Sequence, residues 1–269
     1  MGDLVSVILP TFNRPGAVID CIKAIRLQTY KPIEIIVVDD ASKLQYNIPV
    51  KFKAKYFKLR RNIGPAGARN FGLSKAGGEF IIFLDDDITL TSTCVEILLK
   101  TLTKFKQFNV GAVACRLIYV QNVSSEAKGK QLLRISKLTG DITLNSSLDA
   151  KEPIFAKTLH SCALFSREVF SDVGLWDDKT YVGNYTYAEP DFYYRMGAHG
   201  WKLLFEPRAV AKHLRIQEAG CRSMSPAMYK YYTLRNALFF QFRHYGFKTA
   251  YMWPAFVFKK ITTVFNSDK

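Results

Sequence analysis

The chain has 269 residues, of which 48% are hydrophobic, 14% aromatic and 23% charged, with 10 prolines. This is the composition of a packed globular protein, and it excludes disordered, collagenous and small disulfide-stapled classes. Lys and Arg outnumber Asp and Glu by 38 to 23, a formal charge of +15, so long-range attraction favours nucleotides, nucleic acid, anionic lipid or acidic polysaccharide without choosing among them.

The first residues run directly into a strand pattern with no basic segment or cleavage site, so no signal peptide is expected. Apolar runs rich in β-branched residues predict buried strands at 5–9, 35–38, 56–59 and 80–84, and helical patterns lie between them at 17–27 and 66–75. Strands alternating with helices imply βαβ units and a mostly parallel sheet covered on both faces. A helix at 92–108 and a strand at 110–118 follow. Over 121–149 the hydrophobic density drops and Ser, Lys, Gly and Asn rise, which reads as an insertion or mobile hairpin. Beyond it the pattern predicts a strand at 158–165, a helix at 189–198 and a short strand at 202–205.

From Pro226 onward aromatic and basic residues dominate and acid is almost absent. No uncharged run approaches the ~20 residues needed to cross a bilayer. A basic, aromatic helical tail either lies on an anionic membrane surface or completes the core; both use the same amphipathicity. The five cysteines, Cys21, Cys94, Cys115, Cys162 and Cys221, show no CxxC spacing and read as reduced, buried thiols of a cytosolic protein.

The sharpest local feature is an apolar strand running into Asp85-Asp86-Asp87. Three adjacent carboxylates repel one another unless a cation or hydrogen-bond donors compensate, and hard oxygen ligands of this kind suit Mg²⁺ or Mn²⁺ shared with substrate phosphates. A second apolar run ends in Asp39-Asp40, and the first ends in Pro10-Thr11-Phe12-Asn13-Arg14. Three parallel strands thus deliver polar groups to one sheet edge, where ligands of open α/β sheets gather. Between them, Arg60 to Asn70 forms a Gly-containing loop opening a helix, able to offer N–H groups and an arginine to a phosphate. It has neither the P-loop nor the GxGxxG arrangement.

These segments together resemble family 2 glycosyltransferases of GT-A fold. The motifs stand here as Val7 to Arg14, Val37-Val38-Asp39-Asp40-Ala41-Ser42, Asn62-Ile63-Gly64 with Ala68-Arg69-Asn70, and Phe83-Leu84-Asp85-Asp86-Asp87. The resemblance implies a nucleotide-sugar donor held by Pro10, Thr11, Phe12, Asn13, Asp39, Asp40, Asn62, Gly64, Arg69, Asp85 and Asp86. Asp40 would stand near the base, Arg69 near the nucleotide and Asp85 near the ribose. Asp87, with Asp85 and His213, would hold Mn²⁺ or Mg²⁺.

Further on, Gly174-Leu175-Trp176-Asp177 resembles the GGFDE turn, and Glu189-Pro190-Asp191-Phe192-Tyr193-Tyr194-Arg195 the run that carries the catalytic base. Aligning Asp191 and Arg195 puts Glu189 where an aspartate usually stands, so Glu189 is the expected base, with Asp191 the alternative or an orienting group. Tyr231-Tyr232-Thr233-Leu234-Arg235-Asn236 resembles the helix that follows the catalytic part.

The expectation is an inverting transferase moving a sugar, UDP-linked by prior, to a glycan or lipid-linked acceptor in polysaccharide assembly. It would be cytoplasmic or peripheral on the inner face of a membrane, with no nucleic-acid partner. Residues 1–225 would form the GT-A domain, split into a nucleotide half (1–118) and an acceptor half (119–225), and 226–269 a helical extension. A sugar-phosphate nucleotidyltransferase and a non-catalytic nucleotide or polyanion binder are the competing readings. The first normally carries a Gly-rich, Lys-containing signature after strand one, where Pro10-Thr11-Phe12-Asn13 stands. The second would bring a polyanion against three acidic strand ends.

Overall fold

The computed structural model describes residues 2–120, 131–136, 142–214, 216, 224–247 and 254. Its first half alternates as the pattern requires: β1 (Val5–Thr11), α1 (Pro15–Arg26), β2 (Ile33–Asp39), β3 (Ala54–Lys58), α2 (Gly64–Lys75) and β4 (Phe80–Phe83). Prolines stand in the first turn of α1 and α2, where an N–H would have no intrahelical acceptor anyway. Then come β5 (Ile88–Leu90), α3 (Cys94–Lys104), β6 (Val110–Tyr119), β7 (Leu133–Ile135), β8 (Ile142–Leu144), β9 (Ile154–Ala156), β10 (Ala163–Ser166), α4 (Glu168–Val173), α5 (Ala188–Ala198), β11 (Lys202–His213) and α6 (Pro226–Tyr245).

The main sheet runs β3-β2-β1-β4-β10-β6-β11-β5, with β9 also on β11. It is parallel through β3, β2, β1 and β4. β10 then lies antiparallel to both β4 and β6, and β11 is parallel to β6 but antiparallel to β5 and β9. The parallel share is smaller than the alternation implies. Between β6 and β10 the described residues contain no crossover helix, and without one a strand cannot return in the same direction.

Period-two alternation divides the core. Val5, Val7 and Leu9 of β1 pack with α1 and α3 on one face, while Ile8 packs with α2 and α5 on the other. Cys21, Cys94, Cys115 and Cys162 are free thiols buried in this interior, as expected; Cys221 lies outside the described residues.

Two expectations need correction. The strand placed at 158–165 begins only at Ala163. Before it the chain bends, with Ala163 N donating to Ser161 O at 2.9 Å and the Ser161 hydroxyl turned to Asp85. The strand placed at 202–205 continues to His213 through an irregular register between Glu206 and Val210. Glu206 does not end it because its fully buried carboxylate accepts from Thr101 Oγ1, Arg208 N and the Arg208 guanidinium. Within 121–149, β7 and β8 form an antiparallel pair, and 121–130 and 137–141 lie outside the described residues. Among the described residues no helix is long and apolar enough to cross a membrane.

Candidate active site

The polar ends of β1, β2 and β4 and the starts of α2 and α5 converge on a cleft of about 640 Å³. Of the residues singled out in the sequence, Pro10, Thr11, Phe12, Asp40, Asn62, Gly64, Arg69, Asp85, Asp86, Asp87 and Glu189 line it; Asn13, Asp39, Asp191 and His213 do not.

The wall at the start of α2 is knit by bonds to backbone. Asp40 caps α2, its carboxylate accepting from Ile63 N at 2.8 Å and Gly64 N at 2.9 Å. Burial raises its pKa against those two bonds. Asp39 supports the loop from beneath: fully buried, it accepts from Ser42 N at 2.8 Å and from the Tyr56 hydroxyl at 2.6 Å. Asn13, at φ 57°, donates its N–H to Ser42 Oγ and accepts from Lys43 N, which ties the β1 loop to the β2 loop. Tyr46 joins the same web, its hydroxyl meeting Thr11 Oγ1 and Arg14 N at 2.9 Å each.

Of the three consecutive aspartates, Asp85 turns to Arg69 while Asp86 and Asp87 share Arg14, whose Nη1 lies 3.7 Å from Asp87 Oδ2. Asp85 accepts from Arg69 Nη2 at 3.0 Å and Ser161 Oγ at 2.9 Å. Asp86 accepts from Thr11 Oγ1 at 2.7 Å and pairs with Arg14 Nη1 at 2.9 Å, and burial lifts its pKa to about 6 in spite of them. Asp87 lies 3.2 Å from His213 Nε2 at the end of β11.

A divalent ion fits the Asp87–His213 pair: one hard carboxylate oxygen and one imidazole nitrogen, with remaining positions left for water and phosphate oxygens, as Mg²⁺ and Mn²⁺ take. Asp85 does not join them. Among the described residues no group of three His, Cys, Asp or Glu side chains is arranged to hold a metal.

Arg69 ties the two halves together. Its side chain is 3% exposed, with Nη2 on Asp85 and Nη1 on Glu189 Oε1 at 3.1 Å. Burial opposes its charge, but the two carboxylates outweigh it and raise its pKa. The guanidinium lies over the Trp176 ring, 5.2 Å from its centroid, a geometry that favours a desolvated cation. Trp176 is fixed in turn by reciprocal bonds with the Asn70 amide and by stacking on Phe192 at 4.4 Å. The Arg-Asn of α2 and the Leu-Trp-Asp turn are therefore one structural unit.

Glu189 and Asp191, two residues apart on α5, have different surroundings. Glu189 opens onto the cleft with a quarter of its side chain exposed. Asp191 is fully buried and accepts from Tyr181 OH at 3.0 Å, His244 Nε2 at 2.8 Å, Arg243 Nη1 at 3.0 Å and Arg195 Nε at 3.0 Å. Burial alone would raise its pKa; His244, Arg195 and Arg243 overcome that and hold it below the ordinary carboxylate range.

Sequence reasoning missed the opposite wall, Gly183, Asn184, Tyr185 and Thr186. Tyr185 and Tyr187 have φ 56° and 70°, a left-handed bend that turns this loop toward α2. At Gly64 (φ 78°) an added Cβ would sit 2.5 Å from the Tyr185 ring, and at Gly183 (φ 78°) one would sit 2.2 Å from the Tyr232 ring of α6. Asn184 Nδ2 donates to Tyr229 O at 2.8 Å and Thr233 Oγ1 at 2.6 Å. The Gly-Asn pair was the available signal. Tyr46 and Ser161 left none.

Residues 6–174 match the model of Glycosyl transferase family 2. The chain belongs to that family. This glycosyltransferase is 33% identical over 198 residues to GalNAc(5)-diNAcBac-PP-undecaprenol beta-1,3-glucosyltransferase of Campylobacter jejuni, which covers 70% of this chain and 61% of that one. It is 32% identical over 178 residues to a cholesterol galactosyltransferase of Borreliella burgdorferi, 64% of this chain and 46% of that one. The enzyme thus spans less than two thirds of either relative. Its fold is GT-A: the structure of GalNAc-T7 with UDP, GalNAc and Mn²⁺ superposes with a TM-score of 0.67 at 17% identity, over 91% of this chain and 50% of the other.

Proposed function

We propose that the cleft binds a nucleoside-diphosphate sugar, most simply a UDP-sugar, and that the sugar passes with inversion to an acceptor hydroxyl activated by Glu189. The reading rests on one observation: Arg69 binds Asp85 of the acidic segment and Glu189 of α5 at once, so the donor-facing and acceptor-facing carboxylates are held in one cleft by one buried cation.

In this mechanism the acceptor oxygen attacks the anomeric carbon, the bond from that carbon to the diphosphate breaks, and the acceptor proton moves to Glu189. A general base of this kind contributes about 10²–10⁴ in rate. Arg69 fixes the carboxylate in direction. The wall of Asp40, Asn62 and Gly64 receives the base, and Asp85 faces the ribose. Asp87 and His213 would hold Mn²⁺ or Mg²⁺, whose charge neutralises the departing diphosphate when bound. On this reading residues 1–225 are the catalytic domain, which α6 extends over Pro226–Tyr245.

The acceptor is a glycan or lipid-linked sugar, in line with the undecaprenol-linked substrate in the Campylobacter relative's name. A cytoplasmic enzyme, peripheral on the inner face of a membrane, goes with such an acceptor. The test is thermal unfolding with UDP, GDP, dTDP or CDP, each with Mn²⁺, Mg²⁺ or EDTA, on wild type and Asp87→Ala. At a hundredfold excess over Kd, bound UDP with metal stabilises by about 2.7 kcal/mol, a rise of about 5–10 °C, and the variant loses the metal-dependent part. No shift with any nucleotide overturns the reading.

A further inference from the structure

α6 buries one side and exposes large side chains on the other. Its inner side buries Asn236, Ala237, Phe240 and Gln241 against α5 and the 181–187 loop, with Phe240 in a cluster with Tyr181 and Ala188. Its outer side carries Met228, Tyr231, Phe239 and Phe242, which are 45%, 58%, 46% and 46% exposed, and Phe247 follows at 76%. Positions 228, 231, 235, 239 and 242 advance by three and four residues, so they form one stripe along the helix. Arg235 fills the middle of it, its guanidinium 4.6 Å from the Phe239 ring centroid. Large side chains gathered this way on one exposed face mark an interaction surface rather than scattered surface apolarity.

Charge says what the partner is. Between Pro226 and Ser267 the sequence has Lys230, Arg235, Lys248, Lys259 and Lys260, besides Arg243, which is paired inward with Asp177 and Asp191, and no Asp or Glu, within a chain of formal charge +15. Half-exposed aromatic rings with cations and no acid suit the headgroup zone of an anionic bilayer, where rings sit at the polar–apolar boundary and Lys and Arg meet lipid phosphates.

We propose that the outer stripe of α6, Met228, Tyr231, Phe239 and Phe242, docks the enzyme on an anionic membrane surface. The inner side of the same helix holds the cleft wall through Asn184 on Tyr229 O and Thr233, and Tyr232, seven residues before Phe239 and so at the edge of the stripe, covers Gly183. One helix diameter, about 10 Å, therefore separates the lipid from the residues that face the acceptor. This deepens the proposed function and rests on it only for the lipid-linked acceptor; the surface itself stands on the stripe and its charge.

The experiment is sedimentation of the full chain with vesicles of phosphatidylserine and phosphatidylcholine, against phosphatidylcholine alone, for wild type, Phe239→Gln/Phe242→Gln and Met228→Gln/Tyr231→Gln. Both variants change exposed positions, and the thermal shift with UDP and Mn²⁺ is read on each. Wild type sediments with the anionic vesicles and is released by salt, and each double variant binds them about tenfold or more weakly while keeping the nucleotide-induced shift. Equal sedimentation with neutral vesicles, binding unchanged in both variants, or a concentration-dependent dimer of wild type that both variants abolish would each overturn the proposal. The last outcome would assign the stripe to a second copy of the chain. Loss of the nucleotide shift in wild type with vesicle binding intact would instead count against the transferase reading alone.

Discussion

Glu189 and Asp191 are separated by one residue, and substituting each by its amide tests opposite roles. At Asp191→Asn, a fully buried carboxylate that accepts from two arginines, a histidine and a tyrosine becomes neutral, and one of its two oxygens becomes an NH₂ facing donors. Removing one partner of a buried ion pair costs about 3–5 kcal/mol because the remaining charges stay desolvated. At about 2–4 °C per kcal/mol for a chain of this size, the midpoint falls by about 6–20 °C. At Glu189→Gln, the side chain is a quarter exposed and its one ionic partner, the buried Arg69, keeps Asp85, so the midpoint falls less, by about 2–6 °C. Sugar transfer, assayed by nucleotide release well below both midpoints, shows the reverse order: Gln at 189 loses about 10²–10⁴, and Asn at 191 stays within about tenfold of wild type. An Asp191→Asn protein as stable as wild type yet inactive would refute the assignment and make Asp191 the base. Full turnover in Glu189→Gln would refute it equally.

Three other outcomes are expected. Gly183→Ala destabilises by about 2–4 kcal/mol in urea unfolding, since φ is 78° and the new Cβ would meet the Tyr232 ring. Gly197→Ala, next to the last residue of α5 with nothing within 4 Å of the new Cβ, stabilises by up to about 1 kcal/mol. Acid unfolding follows the carboxylates. Asp191, Asp177, Glu206 and Glu34 are all held below their ordinary values in the fold, each by donors that outweigh its burial. Their contribution is therefore complete above the unfolded carboxylate range, about pH 4, and is lost as pH falls below it; a urea midpoint that stayed flat from pH 5 to pH 3 would contradict this.

The parallel half of the fold was legible because β1, β2 and β4 are buried on both faces and so read as unbroken apolar runs whose polar ends mark one edge. Glu189 was legible through its spacing to Asp191 and Arg195. What the sequence concealed depends on contacts between distant residues. Asp39 and Asp40 look equivalent in a line of text, but one caps α2 and the other braces a loop against Tyr56. Asp85 looks like a companion of Asp87 in the sequence, whereas in the fold its oxygens meet Arg69 and Ser161. The 183–186 wall arises from left-handed turns at two tyrosines, which residue type does not announce, and β11 continued past Glu206 because partners 2 and 105 residues away neutralise that carboxylate.

β5 begins one residue beyond the third aspartate and pairs with the last residues of β11, with His213 opposite Ile88 and Leu214 N donating to Asp87 O at 2.8 Å. The backbones bearing Asp87 and His213 are therefore stitched into the same ladder before any ligand arrives. An ion taken up by that pair would need no ordering of these two backbones, so its binding would carry little of the entropic cost of assembling a site.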